Sequence, residues 1–197
     1  MDLKARKAAI RREAVHRVLA MSREDRQAQE ASLARRLPDL PGFAGSSVIL
    51  LYASAFADEI DTRAMIRATL ESGQRVVLPR VNRRLKSLRL FEVADLDQDL
   101  EPGMLGIPEP RATCQPVEPS GVDWVLVPGL AFDERCGRLG RGAGHYDRLL
   151  PTLRPEVPRW ALILDTQWFD DLPTEPHDQP LDGVADHRRT VLGPVTR

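Results

Sequence analysis

Apolar positions change their period several times along the chain, and each change marks an element. Ile10, Ala14, Val15, Val18 and Leu19 recur at helical spacing with Arg6, Lys7, Arg11, Arg12 and Arg17 around them, which predicts an amphipathic first helix. Ser22 to Asp25 reads as a capping box opening a second helix that runs to about Leu37, before Pro38. Val48 to Tyr52 is continuously apolar, as a strand buried on both faces should be. Asp61-Thr62 caps a third helix that Gly73 closes, and Arg75 to Leu78 is the next strand. Leu88 to Val93 alternates and fits an antiparallel or edge strand, followed by a proline-rich excursion from Pro102 to Pro119. Trp124–Val127 and Trp160–Leu164 are further buried strands, with Val184 and the 188–192 segment pairing at an edge. Strands alternating with helices predict an α/β chain: one three-layer α/β/α domain over 1–197, with a mainly parallel open sheet and an N-terminal helical segment. Ligands then gather beyond the carboxyl ends of the strands, among the loops after Tyr52, Leu78, Val127 and Leu164.

Composition narrows the classes. A chain of 197 residues with 42% hydrophobic positions can bury one good core. Its 28 basic and 29 acidic residues leave a net charge of −1, so no overall field points to nucleic acid or an anionic membrane as partner. The positive charge is bunched locally, between Lys4 and Arg17 and between Arg135 and Arg148. No segment approaches the roughly 18 apolar residues of a membrane span, and the N-terminus is too charged for a signal peptide. Cys114 and Cys136 stand in unrelated loops without Cys-x-x-Cys spacing, which fits reduced thiols in a cytoplasmic protein.

The densest chemistry follows Val127. Pro128-Gly129 ends the apolar run; then Gly137, Gly140, Gly142 and Gly144 interleave with Arg135, Arg138 and Arg141, and His145-Tyr146-Asp147 opens a helix. Glycines let the backbone approach a ligand, main-chain N–H groups at a helix start attract anions, and arginine adds forked positive charge. The loop reads either as a phosphate cradle or as a solvated turn, since neither standard nucleotide-binding glycine pattern is met. Lys7 and Arg11 stand one helical turn apart, so both heads can serve one phosphate group; the plainer alternative is a solvated basic face with an exposed Lys7 that folding does not need.

The whole string resembles the signature of the 5-formyltetrahydrofolate cyclo-ligase (methenyltetrahydrofolate synthetase) family, through Pro128, Gly129, Phe132, Asp133, Arg138, Leu139, Gly140, Gly142, Gly144, Tyr146 and Asp147. His145 departs from it, where the family usually has an aromatic residue. Lys7 to Arg11, Ser54 to Thr62, Gly106 to Pro110 and Leu172 to Asp182 resemble further family segments in the right order, although Ala185-Asp186-His187 stands where a Thr-Glu ending is common. The resemblance implies ATP-dependent cyclisation of 5-formyltetrahydrofolate to 5,10-methenyltetrahydrofolate, with Mg²⁺ as cofactor. It implies ATP binding by Lys7, Arg11, Arg138, Gly140, Arg141, Gly142, Ala143, Gly144, His145 and Tyr146. It puts the folate at Ser54, Glu59 and Glu109 together with the loop from Arg141 to His145, and the metal at Asp147 and Asp178. Arg138 and Arg141 would neutralise the transferring phosphoryl group. Asp61 is better explained as a helix cap, and His145 and His177 lack the third ligand that a transition-metal site needs. The arginine-rich loop should push the His145 pKa down.

Two other readings remain open from the residues alone. One is a sugar-phosphate isomerase or binding protein on a related fold, which would need neither Lys7 nor magnesium. The other is a non-catalytic folate-binding relative, motivated by His145 and the missing Thr-Glu. The chain is expected to work as a monomer or weak homodimer on its two small-molecule substrates.

Overall fold

The structure is a computed structural model that describes residues 2–194. In chain order its elements are α1 (Leu3–Leu19), α2 (Arg23–Arg36), β1 (Val48–Leu50), α3 (Arg63–Glu71), β2 (Arg75–Asn82), β3 (Ser87–Val93), β4 (Leu100–Pro102), β5 (Pro108–Pro110), β6 (Pro116–Val117) and β7 (Trp124–Leu126). They continue with β8 (Ala131–Phe132), β9 (Arg138–Leu139), α4 (His145–Leu149), β10 (Arg159–Leu162), β11 (Gly183–Ala185) and β12 (Thr190–Leu192). Eight strands form one sheet in the order β12-β11-β10-β7-β1-β2-β3-β6. The five central strands β11, β10, β7, β1 and β2 are parallel, and β12, β3 and β6 add antiparallel margins. β4–β5 and β8–β9 are separate hairpins.

The apolar runs are explained by burial on both faces. Ile49, Val76, Leu78, Trp124, Leu126 and Trp160 pack on one side with Val18, Leu33, Leu37, Met65 and Ile66 of the helical layer. Their neighbours Val48, Leu50, Val77, Val125 and Ala161 pack on the other side with Leu149, Leu150, Leu153 and Val157. The three layers are therefore unequal, with α1 to α3 over one face and the short α4 with its following turns over the other.

Local signals mostly hold. Ser22 caps α2 by accepting the Asp25 N–H at 3.0 Å, and its hydroxyl donates to the Asp25 carboxylate at 2.7 Å. Asp61 accepts the Arg63 N–H at 2.9 Å, while Thr62 turns inward and donates to the Tyr52 carbonyl at 2.6 Å. β2 runs four residues beyond Leu78 because its pairing with β3 continues to Asn82 and Ser87. β3 is antiparallel, as its alternation suggests, but β6 covers its outer side.

Chain order fixes where a cleft can open. From the central β1 the chain goes to β2 on one side and later returns through β7 on the other. The loops leaving β1 and β7 diverge at this switch point, which is where open α/β sheets accept ligands.

Candidate active site

A cavity of about 300 Å³ lies at that switch point. Its lining draws on α1, the loop after β1, β2 and β3, the β5 hairpin, the glycine loop and the 175–178 segment.

α1 brings its two cations by an unexpected route. Lys7, Arg11, Ala14 and Val18 follow one another at spacings of four, three and four, so they share a single stripe of the helix. Ala14 packs with Leu130, Ala131, Leu139 and Leu172, and Val18 reaches the main core. Lys7 is carried inward with them and is 6% exposed. This corrects the expectation of an exposed lysine; Leu19, placed with the apolar face by sequence, is 56% exposed instead. The Lys7 ammonium donates to Glu175 and Asp178, both at 2.7 Å. Burial alone would lower its pKa, but these two bonds and their charge hold it above the ordinary lysine value. Burial would raise the Asp178 carboxyl, yet Lys7 and the Glu175 N–H keep it below the ordinary value. Arg11 donates from Nε to the Gly140 carbonyl at 2.8 Å, so it braces the glycine loop rather than sharing a partner with Lys7.

The glycine loop is held at both ends. Asp133, fully buried, accepts from Gly137 N at 2.8 Å, Arg135 N at 3.1 Å and Leu172 N at 3.2 Å. One carboxylate thereby ties the β8–β9 turn to the segment carrying Glu175 and Asp178. Gly142 has φ +98° and Gly144 φ +65°, conformations that L side chains rarely adopt. Gly144 is the N-cap of α4, and a Cβ at Gly142 would stand 3.4 Å from the Arg11 guanidinium. The Arg138 side chain is 5% exposed and donates to the Pro128 carbonyl at 3.2 Å and to Asp147 at 2.5 Å. Its Nε and the Tyr146 hydroxyl are buried without a hydrogen-bond partner in the protein, and both residues line the cavity. His145 also lines it; burial first, then Arg148, pushes its pKa down. The direction agrees with the sequence reading, but burial is the leading cause and the loop arginines are not.

Arg141 crosses the cleft mouth. It donates to Asp58 at 2.9 Å and to Glu59 at 3.2 Å, and its guanidinium sits 3.9 Å over the Phe56 ring. Glu59 is fixed by its own loop as well, accepting from Ala55 N at 2.9 Å and Phe56 N at 3.3 Å. Arg26 of α2 holds the Ala57 and Glu59 carbonyls from behind. The opposite wall is apolar, made by Pro79, Val81, Leu88, Ile107 and Pro108. Glu109 is buried in it and accepts the Val81 N–H at 3.3 Å.

Most sequence candidates meet here: Lys7, Arg11, Glu59, Glu109, Arg138, Gly140 through Asp147, and Asp178 all line the cavity. Ser54 does not. Its amide and hydroxyl are exchanged with Thr62, at 3.0 and 3.3 Å, so it secures the start of α3. Asp147 and Asp178 do not form a ready metal pair. Asp147 is bound to Arg138, and the described donors converge in a threesome only at Glu175, His177 and Asp178, within 4.8 Å of one another. Sequence reading missed Asp58, Glu175 and Phe56, which gain their partners only when distant loops meet. Ala185-Asp186-His187 stays outside the cavity lining; Asp186 instead accepts from the Trp168 indole at 2.7 Å and from Arg188 N at 2.6 Å. That departure is therefore spent on the turn into β12. Both cysteines are free thiols, and no helix among the described residues is long and apolar enough to cross a membrane.

The model of the 5-formyltetrahydrofolate cyclo-ligase family matches residues 3–186. A 5-formyltetrahydrofolate cyclo-ligase of Escherichia coli is 30% identical over 168 residues, covering 84% of this chain and 92% of that protein. One from Mycolicibacterium smegmatis is 34% identical over 140 residues, covering 66% and 68%. The solved structure of Aquifex aeolicus 5,10-methenyltetrahydrofolate synthetase superimposes with a TM-score of 0.83 at 29% identity, covering 97% of this chain and 94% of that one.

Proposed function

Because this chain belongs to the 5-formyltetrahydrofolate cyclo-ligase family, we propose that it converts 5-formyltetrahydrofolate and ATP into 5,10-methenyltetrahydrofolate, ADP and phosphate. One observation carries the reading: six segments separated in sequence supply cations, loop amides, carboxylates and an apolar wall to a single cavity. A sugar-phosphate enzyme has no use for the wall of Pro79, Val81, Leu88 and Ile107, which suits the flat face of a pterin.

The chemistry asks for positioning and charge neutralisation. A formyl oxygen is a poor leaving group. Transfer of the γ-phosphoryl group to it makes a good one, N10 then attacks the formyl carbon and loses its proton, and the oxygen departs with phosphate. Lys7 and Arg11 are assigned to the nucleotide phosphates together with the amides from Gly140 to Tyr146, and Arg138 and Arg141 to the charge that develops on the transferring group. The Arg138 Nε–H and Tyr146 hydroxyl, buried without a partner in the protein, are two further donors that a small shift of these side chains would offer to the phosphates. Glu59, Glu109 and the loop from Arg141 to His145 are assigned to the folate.

A hard cation fits the donors present. Asp178 and Asp147 face the cavity with carboxylate oxygens, and magnesium prefers one or two of these beside phosphate oxygens and water. When bound it would neutralise phosphate charge and hold the phosphates in line. Asp178 becomes available once Lys7 turns to a phosphate, and Asp147 once Arg138 does.

The test is direct. Protein, 5-formyltetrahydrofolate, Mg²⁺ and ATP are mixed and the near-ultraviolet absorbance of the methenyl product is followed. A rise that needs both protein and ATP is expected. Folate binding without turnover would instead identify a non-catalytic relative.

A further inference from the structure

A second cavity of about 240 Å³ opens between α3 and the β4–β5 hairpin. It shares Ala53 and Pro108 with the main cavity, so the two are neighbours across one wall. Ile66, Leu96, Leu100 and Pro102 give it an apolar lining, while Arg63 and Arg67, one helical turn apart on α3, stand at its edge. Two acids share that edge. Glu101 is already paired with Arg80 at 2.6 Å and Arg111 at 3.6 Å. Asp97 meets Arg67 only at 3.8 Å, with both side chains largely in solvent. Among the described residues the Arg63 guanidinium has no ion pair. The edge thus carries two arginine heads that local carboxylates leave largely uncompensated.

The main cavity, at about 300 Å³, is at the lower end of the roughly 300–1,000 Å³ usual for one small ligand. A nucleotide and an entire folate do not both fit inside it. The folate end that reacts carries the formyl group and N10; the aromatic ring and the two carboxylates of its aminobenzoyl-glutamate end lie beyond N10. A neighbouring apolar cavity lined by two arginines matches that sequence of groups.

We propose that the cavity between α3 and the β4–β5 hairpin receives the aminobenzoyl-glutamate end of the substrate, with Arg63 and Arg67 binding its carboxylates. The assignment rests on the folate reading of the main cavity and extends it to a specificity site for an anionic tail.

Steady-state kinetics with two substrates test it: 5-formyltetrahydrofolate and its tail-less analogue 5-formyltetrahydropteroate. Wild type, Arg63→Gln, Arg67→Gln and the double variant are compared. Two exposed charge-assisted contacts support a KM increase of about tenfold for the tail-bearing substrate in the double variant. The tail-less substrate, which keeps only the single carboxylate of its aminobenzoyl ring, should show a clearly smaller increase. In wild type, KM for the tail-bearing substrate should climb more steeply with ionic strength than KM for the tail-less one, a readout that needs no variant. Equal shifts for both substrates, or none for either, would overturn the tail assignment while leaving the cyclo-ligase reading intact. Failure of wild type to turn over either substrate would overturn both.

Discussion

Replacing Lys7 by Met separates two roles that the same ammonium plays. Met keeps most of the aliphatic stem, so packing of α1 beside Ala14 changes little while the charge disappears. Asp178 and Glu175 then face each other without a cation. Removing one member of a fully buried ion pair costs about 3–5 kcal/mol, and a fully exposed pair contributes about 0–1 kcal/mol. Here the side chains of Lys7, Asp178 and Glu175 are 8%, 18% and 38% exposed. Glu175 is therefore discounted for solvent screening, and a loss of about 2 kcal/mol is expected, or about 4–8 °C in Tm for a chain of this size. A double-mutant cycle with Asp178→Asn, followed by chemical unfolding, should show the double variant less destabilised than the sum of the singles. The pH dependence has a defined sign. A lysine pKa raised on folding stabilises fully below its ordinary value of 10.5 and loses that contribution as pH climbs through the higher folded value. The same variant should raise the KM for ATP about tenfold, equivalent to about 1.4 kcal/mol of lost phosphate binding. A Lys7→Met protein as stable as wild type, with additive behaviour in the cycle, would refute the buried clamp and return α1 to a solvated basic helix.

Asp147→Asn leaves the buried Arg138 guanidinium without its counter-ion. Thermal unfolding should show a loss of about 2 kcal/mol alongside an increased magnesium requirement, and an unchanged Tm would argue against the pair. Gly142→Ala must adopt φ near +98° beside Arg11, so a cost of about 1–2 kcal/mol and weaker ATP binding are expected; a neutral effect on both would mean that the loop relaxes freely. Burial alone would raise the Asp186 carboxyl, but the Arg189 and Arg188 N–H groups and the Trp168 indole hold it below the ordinary value. Such a group stabilises fully above its unfolded pKa of about 4 and loses that contribution as pH falls through the lower folded value. Asp186→Asn should flatten the stability curve below about pH 4, and an unaltered acid limb in denaturant titrations at several pH values would contradict this.

The α/β class and the parallel core followed from local information. Strands such as Val48–Leu50 and Trp124–Leu126 are apolar at every position because both faces are covered, and that pattern is written in consecutive residues. The glycine loop was equally legible, since positive φ at Gly142 and Gly144 is a property of single residues. Partnerships were not. Lys7 looked solvated because sequence shows a charge but not which stripe of α1 meets Leu172; only docking of the helix against the 172–178 segment puts Glu175 and Asp178 beside it. Ser54 looked like a substrate contact, and the return of the chain at Thr62 occupied it. Arg141 finds Asp58 and Glu59 across more than 80 positions of sequence. Periodicity records what each residue needs from its surroundings, whereas electrostatic partners are decided by which distant loops share a strand end, and that depends on the order of strands in the sheet.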